Sequence, residues 1–213
     1  MEKFKKEIPF LAIALIPFAY LIYIWNRLPE KVPMHWNGAG EIDRYGDKKE
    51  LVAMLCMLVG ITYFVLLIIP SVDPKQKLQN MGNKLNNFRM ILALFISGLA
   101  VYILYNVQQK SSNPGIGFAI IGLLFAFLGN YFKTIKPNYF IGIRTPWTLE
   151  NEEVWKKTHI MGGKLWFVGG LLLTLTFLVP NKFQVYTFLG IVAVITIVPI
   201  IYSYLEFKKI KNQ

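Results

Sequence analysis

LVAMLCMLVGITYFVLLIIP, Leu51–Pro70, is the stretch that decides the fold. It holds no Asp, Glu, Lys, Arg or His. At 1.5 Å per residue a helix of roughly 20 residues is about 30 Å long, which is the thickness of a bilayer's hydrocarbon core. Lipid offers the backbone no hydrogen-bond partner, so such a segment must satisfy its own amides as a helix. Five further runs have the same character: Ile8–Trp25, Met90–Val107, Ile116–Phe132, Leu165–Pro180 and Val185–Phe207, the last with Glu206 only at its edge. They are apolar on every side, whereas helices of a water-soluble protein carry a polar face. A transmembrane barrel would instead show short alternating segments. Composition agrees: 54% of the 213 residues are hydrophobic and 16% charged, against about 25% charged in ordinary soluble domains. The expectation is an all-α membrane protein, a polytopic bundle of about six transmembrane helices.

Charge sets the expected orientation. Of the 23 Lys and Arg, 16 fall in the N-terminal tail, the 71–89 and 133–164 connections and the C-terminal tail, and 7 fall in the alternate connections. The positive-inside rule then puts both termini in the cytoplasm. The net charge of +11 reads as a topology signal with attraction to anionic lipid, not as a nucleic-acid footprint. The basic start, Met1–Lys6, imitates a signal peptide, but the apolar run ends in Tyr20–Trp25 without a small-residue cleavage site, so the first span is expected to be a retained anchor. The single cysteine, Cys56, cannot form an internal disulfide and is expected to be a small buried apolar side chain.

Chemistry-bearing clusters are scarce. The two histidines, His35 and His159, are expected on opposite sides of the bilayer. A metal hydrolase needs three or more ligands together, and His35 with Glu41, Asp43 or Asp47 would hold a metal only weakly. Neither a nucleophile elbow nor a phosphate loop is present, and Gly162-Gly163-Lys164 lacks the spacing of one. No enzyme activity, cofactor or resident metal is expected. A coupled transporter places ionisable groups in the membrane, whereas the polar matter here is uncharged, such as Thr62, Ser97, Thr174, Thr176, Thr196 and aromatic hydroxyls. Pro17 and Pro199 interrupt the first and last spans without an internal repeat.

Two connections are too patterned to be mere turns. In 26–50, five acidic and five basic residues cancel, and Val32, Met34 and Trp36 alternate as a short strand would. Gly38 and Gly40 suit a tight turn. This connection reads either as a stiff loop anchored at the interface by Trp36, or as a recognition surface for something arriving from outside. In 133–164, Thr148 resembles an N-cap ahead of Glu150, Glu152 and Glu153, and Glu152–Lys156 and Glu153–Lys157 have favourable i,i+4 spacing. Trp155, His159, Gly162 and Trp166 form the opposite stripe, packed on the bundle or lying among headgroups. Arg144 could reach lipid phosphate or pair with Glu150 or Glu152. The chain is divided provisionally into a two-helix unit, 1–87, and a four-helix unit, 88–213.

Leu28-Pro-x-x-Val-Pro-x-His-Trp-Asn-x-x-Gly-x-x-Asp43 resembles the short membrane-associated domain of unknown function that precedes SdpI-type proteins. Asn138-x-x-x-Gly-Ile-Arg-Thr-Pro-Trp-Thr-Leu149, followed by Glu153, Trp155 and His159, resembles the signature of the SdpI family of bacterial membrane immunity proteins. The likeness implies protection against a secreted membrane-active peptide toxin, and in one branch a relay to a cytoplasmic transcriptional repressor. It makes Pro33, His35, Trp36, Asn37, Gly40 and Asp43 candidate toxin-facing residues. The inner motif would be Asn138, Gly142, Arg144, Thr145, Pro146, Trp147, Glu153, Trp155 and His159. The expected partners are the lipid bilayer, an amphipathic peptide and such a repressor, with no direct contact to nucleic acid. The competing class is a small transporter or envelope-stress scaffold with no toxin ligand.

Overall fold

The computed structural model describes residues 2–37, 41–73, 78, 81–110 and 114–211, with side chains from Glu7 onward and without that of Pro114. The chain runs through helix α1 (Glu2–Ile24), strands β1 (Lys31–Trp36) and β2 (Ile42–Asp47), and helices α2 (Glu50–Leu55) and α3 (Thr62–Val72). Helices α4 (Asn83–Gln109), α5 (Pro114–Phe132), α6 (Pro146–Glu150), α7 (Glu152–Thr174) and α8 (Asn181–Lys211) follow. A π-helical segment, Cys56–Ile61, joins α2 and α3 into one span. Six helices among the described residues are long and apolar enough to cross a membrane: Glu7–Arg27, Glu50–Val72, Asn83–Gln109, Gly115–Phe132, Glu152–Leu178 and Asn181–Lys211. Five contain an expected apolar run, and the fifth in chain order begins well before Leu165 but ends at Leu178, short of the expected Pro180. Helical hydrogen bonding continues into water after apolarity stops, so hydropathy alone ends a helix too early.

One core joins the N-terminal elements to α4. Leu21 and Ile24 of α1, Val32 of the hairpin, Leu51, Leu55 and Val59 of the second span, and Ala100, Leu104 and Val107 of α4 are all buried together. Cys56 lies outside this core and is exposed, contrary to the expectation of a buried thiol. It sits between Leu55 and Val59, the residues that the π segment turns inward, and so faces outward. The helices α1 and α4 are parallel neighbours tied at both ends. Tyr20 donates to Gln108 at 3.1 Å near the hairpin. At the far end Arg89 donates to both carboxylate oxygens of Glu7, at 3.0 and 2.6 Å. Phe10 lies under the same guanidinium, 4.4 Å from ring centroid to Cζ, and Arg89 is buried.

A second core cluster joins the end of α5 to the start of α7, through Phe132, Ile135 and Trp155. The axes meet at paired glycines: a Cβ on Gly163 would stand 2.7 Å from the Gly129 carbonyl, and one on Gly122 would stand 2.7 Å from the Gly170 carbonyl. Both pairs are seven residues apart on both helices, two turns along one face, so the backbones stay in contact over that length.

The Glu7–Arg89 pair yields a test. Breaking one partner of a buried ion pair leaves an unmatched charge and costs about 3–5 kcal/mol, whereas an apolar replacement of both is often neutral. Glu7→Leu or Arg89→Met should each lower the melting temperature in detergent markedly. The double variant should melt close to wild type; a double variant as unstable as the worse single would show that the pair does not act as a unit.

Candidate functional site

The two patterned connections fold into separate devices at opposite ends of the bundle: the hairpin beside Tyr20 and Gln108, and the 133–164 stretch beside the Glu7–Arg89 end, where Tyr131 donates to the Lys84 carbonyl. The hairpin is antiparallel, pairing Lys31 with Asp47, Val32 with Gly46, Pro33 with Tyr45 and Trp36 with Ile42, with irregularities on either side of His35. Pro33 lacks an N–H, which an edge strand tolerates. The strand alternation works as expected. Val32 is fully buried and Met34 and Trp36 pack against the same core, so Trp36 turns toward the protein. On the other face His35 Nδ1 meets Asp43 Oδ1 at 2.6 Å, with the side chains 65% and 42% exposed. Asn37 accepts from the Glu41 N–H and donates to its carboxylate, both at 3.0 Å. Of the three carboxylates expected near His35, Asp43 meets it, whereas Glu41 holds Asn37 and Asp47 accepts from the Lys49 N–H at 2.9 Å. Gly38 and Gly40 lie outside the described residues. Sequence reading passed over Tyr45, which is exposed on this hairpin beside Asp43 and Arg44.

At the other end the motif residues turn inward on one another. Asn138 is buried; its Oδ1 accepts from the N–H groups of Phe140 and Ile141, and its amide donates to the Lys136 and Ile141 carbonyls. This closes the turn that leads to Gly142, whose φ of +115° suits a residue without Cβ. A Cβ there would overlap His159 Nε2. His159 itself is buried, and its Nδ1 lies 2.8 Å from the Trp155 carbonyl. A carbonyl can only accept, so Nδ1 carries the proton. Nε2 is then free to accept from the Ile143 N–H at 3.0 Å. The imidazole is therefore neutral and both its nitrogens are engaged. Trp155 stacks on it with centroids 4.0 Å apart and donates from Nε1 to the Ile135 carbonyl at 2.8 Å.

Beyond Gly142, Thr145 caps α6 in a reciprocal box with Thr148, with Pro146 at the first helical position. The N-cap of α7 is Asn151, which accepts from Glu153 and Val154 N–H, rather than the expected Thr148. An extended Asn151 separates two helices where sequence suggested one, so Thr148 belongs to the earlier cap. Trp147 donates to Ser203 Oγ of α8 at 2.6 Å and packs edge-on to Tyr204. Arg144 donates to the Tyr139 carbonyl, not to Glu150 or Glu152. Glu153 pairs with Lys157 at 2.9 Å as expected, and Lys157 goes on to Glu206 at 3.2 Å, which also holds Lys209 at 2.7 Å. Ser203 and Glu206 were not anticipated as members; Lys209, three residues after an acid at a span's edge, was the available signal for Glu206.

These contacts make a clamp in which the fourth, fifth and sixth spans meet, and Gly142 and His159 are its tightest point. Gly142→Ala should destabilise the protein by more than about 2 kcal/mol, as strain and overpacking together do. In a His159→Ala background the same change should cost clearly less, because the ring it strikes is gone. Thermal melts of the four forms in detergent measure this; equal costs in both backgrounds would refute the contact.

Residues 134–203, which span the clamp and most of α7 and α8, match the SdpI/YfhL protein family, and residues 12–60, which span the hairpin, match a domain of unknown function (DUF1648). The chain is 24% identical to the "Immunity protein SdpI" of Bacillus subtilis (strain 168) over 208 residues, 98% of this chain and 99% of that protein. It is also 39% identical to an uncharacterized protein of Archaeoglobus fulgidus over 59 residues, 28% of this chain and 31% of that one. No solved structure matches it. The Bacillus subtilis relative, matched along nearly its whole length, is named for immunity. With its six helices long and apolar enough to cross a membrane and these two matches in order, the chain is a multi-pass protein of the bacterial plasma membrane that is similar to the SdpI/YfhL family over residues 134–203.

Proposed function

We propose that this protein confers immunity to a secreted, membrane-active peptide by holding the peptide at the hairpin before it inserts. The observation that carries the reading is the two-faced hairpin: one face is fixed in the core of the first three spans by Val32, Met34 and Trp36, and the other displays His35, Asp43, Arg44 and Tyr45 to solvent. A platform so rooted presents side chains without the entropic loss that a floppy loop suffers on binding. The relationship along nearly its whole length to a protein named for immunity supports the same reading. The biased distribution of Lys and Arg supports an extracellular hairpin.

In this mechanism Tyr45 supplies the amphipathic ring and Asp43 and Glu41 the charge that attracts a basic peptide. Trp36 serves as the root, not as a contact, because its ring faces the core. The Asn138–His159 clamp holds the bundle. A relay to a cytoplasmic regulator would have to use the groups the clamp leaves outside, such as Arg144 and Tyr139, both exposed.

The test is survival of a peptide-sensitive bacterium expressing the chain and challenged with a panel of secreted toxic peptides. Protection against one peptide is expected. Asp43→Ala with Tyr45→Ala, both at exposed positions, should reduce the tolerated peptide concentration by about tenfold or more, since each lost contact of roughly 1.4 kcal/mol is worth a factor of ten. Membrane levels should stay unchanged. Full protection by the double variant would overturn the hairpin as the binding face, and no protection by wild type against any peptide would favour a scaffold or transporter.

A further inference from the structure

On the outer surface of the bundle, the glycine-paired crossing of α5 and α7 leaves an open groove beside it, lined by Asn130, Lys133, Lys156, Ile160, Lys164 and Phe167. Gly129 and Gly163 line it too, and their lack of side chains lets the two helix backbones meet beside it. Lys156, Ile160 and Lys164 follow at four-residue steps and therefore lie along one face of α7, opposite Lys133 at the end of α5.

All three lysines are exposed. None has a carboxylate within ion-pair distance among the described residues, and Lys156 does not form the expected pair with Glu152. Of the acids at this end, Glu153 and Glu206 are engaged by Lys157 and Lys209 and Glu7 by Arg89, while Glu150 and Glu152 are exposed and form no ion pair with these lysines among the described residues. Three uncompensated ammonium groups converge on one concave surface whose lower wall, Ile160 and Phe167, is apolar. Lys164 stands about three turns into α7 and can keep its ammonium in the polar layer only by extending its stem along the helix toward the clamp end. The arrangement has the charge of a phosphate at one end and the surface of a hydrocarbon chain at the other.

We infer that this groove binds an anionic phospholipid, with the headgroup phosphate among Lys133, Lys156 and Lys164 and one acyl chain along Ile160 and Phe167. The occupant is a lipid and not a free phosphate, because the apolar wall continues toward the membrane interior along a helix that crosses it. Most of the chain's Lys and Arg lie in the connections of this end, and the cytoplasmic leaflet supplies anionic headgroups. The site is independent of whether the hairpin binds a peptide. A lipid lodged there would brace α5 against α7 directly beside the clamp.

The experiment uses the full chain reconstituted in vesicles of equal phosphatidylglycerol and phosphatidylcholine, extracted in mild detergent, with co-purified lipid counted by mass spectrometry. Wild type should retain phosphatidylglycerol in preference to phosphatidylcholine. K133Q/K156Q/K164Q should lose that preference by about fivefold per lysine removed, the factor expected for one basic group at an anionic surface. K133R/K156R/K164R, which keeps the charge, should retain it, and serves as the folded comparison if the glutamine variant is unstable. Equal retention of both lipids by wild type would overturn the proposal. So would unchanged retention in the glutamine variant, an equal loss on K31Q/K49Q at the hairpin end, or displacement of the lipid by excess inorganic phosphate, which would mark a free-anion site.

Discussion

The close approach of α5 and α7 governs the half of the molecule that carries the longer motif. In lipid there is no hydrophobic gain from bringing two apolar helices together, because each already lies in hydrocarbon. What remains is van der Waals contact, and that grows when backbones can touch. Gly122 and Gly129 meet Gly170 and Gly163 across the crossing, so no side chain separates the two helices there. Rigid alignment of this kind fixes where their ends emerge. Phe132 lies less than one turn beyond Gly129, and His159 about one turn before Gly163. Those two rings meet edge to face at the end of the crossing, with centroids 5.7 Å apart.

The clamp depends on that placement. His159 can accept from the Ile143 N–H only while its ring stays under Gly142, and the ring is held by Trp155 above and Phe132 at its edge. The segment from Asn138 to Thr148 has little regular secondary structure before α6, so its backbone groups must find partners one by one. Asn138, His159, Thr145 and Thr148 provide them. The composition of the motif follows from this: a short irregular segment lying on a membrane bundle needs an Asx turn, a residue without Cβ, a neutral imidazole and a double threonine cap. Trp147 then carries the segment to Ser203, which brings the last span under the same lock.

The spans were legible because the constraint that creates them acts on single residues: a charge in the hydrocarbon is expensive wherever its neighbours are. The first strand was legible for a similar reason, since Val32, Met34 and Trp36 alternate. Its partner was not, because Ile42–Asp47 shows one buried residue, Gly46, among exposed ones. Pairings across the bundle were hidden altogether. Glu7 and Arg89 flank different apolar runs, 82 positions apart, and hydropathy says only that each ends a span. The α7 cap was misplaced by three residues because Thr148 and Asn151 both satisfy the local rule, and only the extended backbone at Asn151 distinguishes them. In the candidate site the direction of each side chain was not legible: Trp36 packs toward the core, whereas Tyr45 is exposed.

Direction also bears on how the two ends divide their work. Between them, each of the six crossing stretches holds an 18-residue window nearly free of charge, and the hydroxyls of half-buried Thr174 and buried Thr176 are spent on nearby backbone carbonyls. Specific chemistry is therefore concentrated at the hairpin and the clamp. At the clamp nearly every motif side chain bonds to another part of the same chain, which is the behaviour of a fastening. At the hairpin His35 with Asp43 and Arg44 with Glu50 are exposed pairs close in sequence, interactions weak enough to be exchanged for those of an arriving partner.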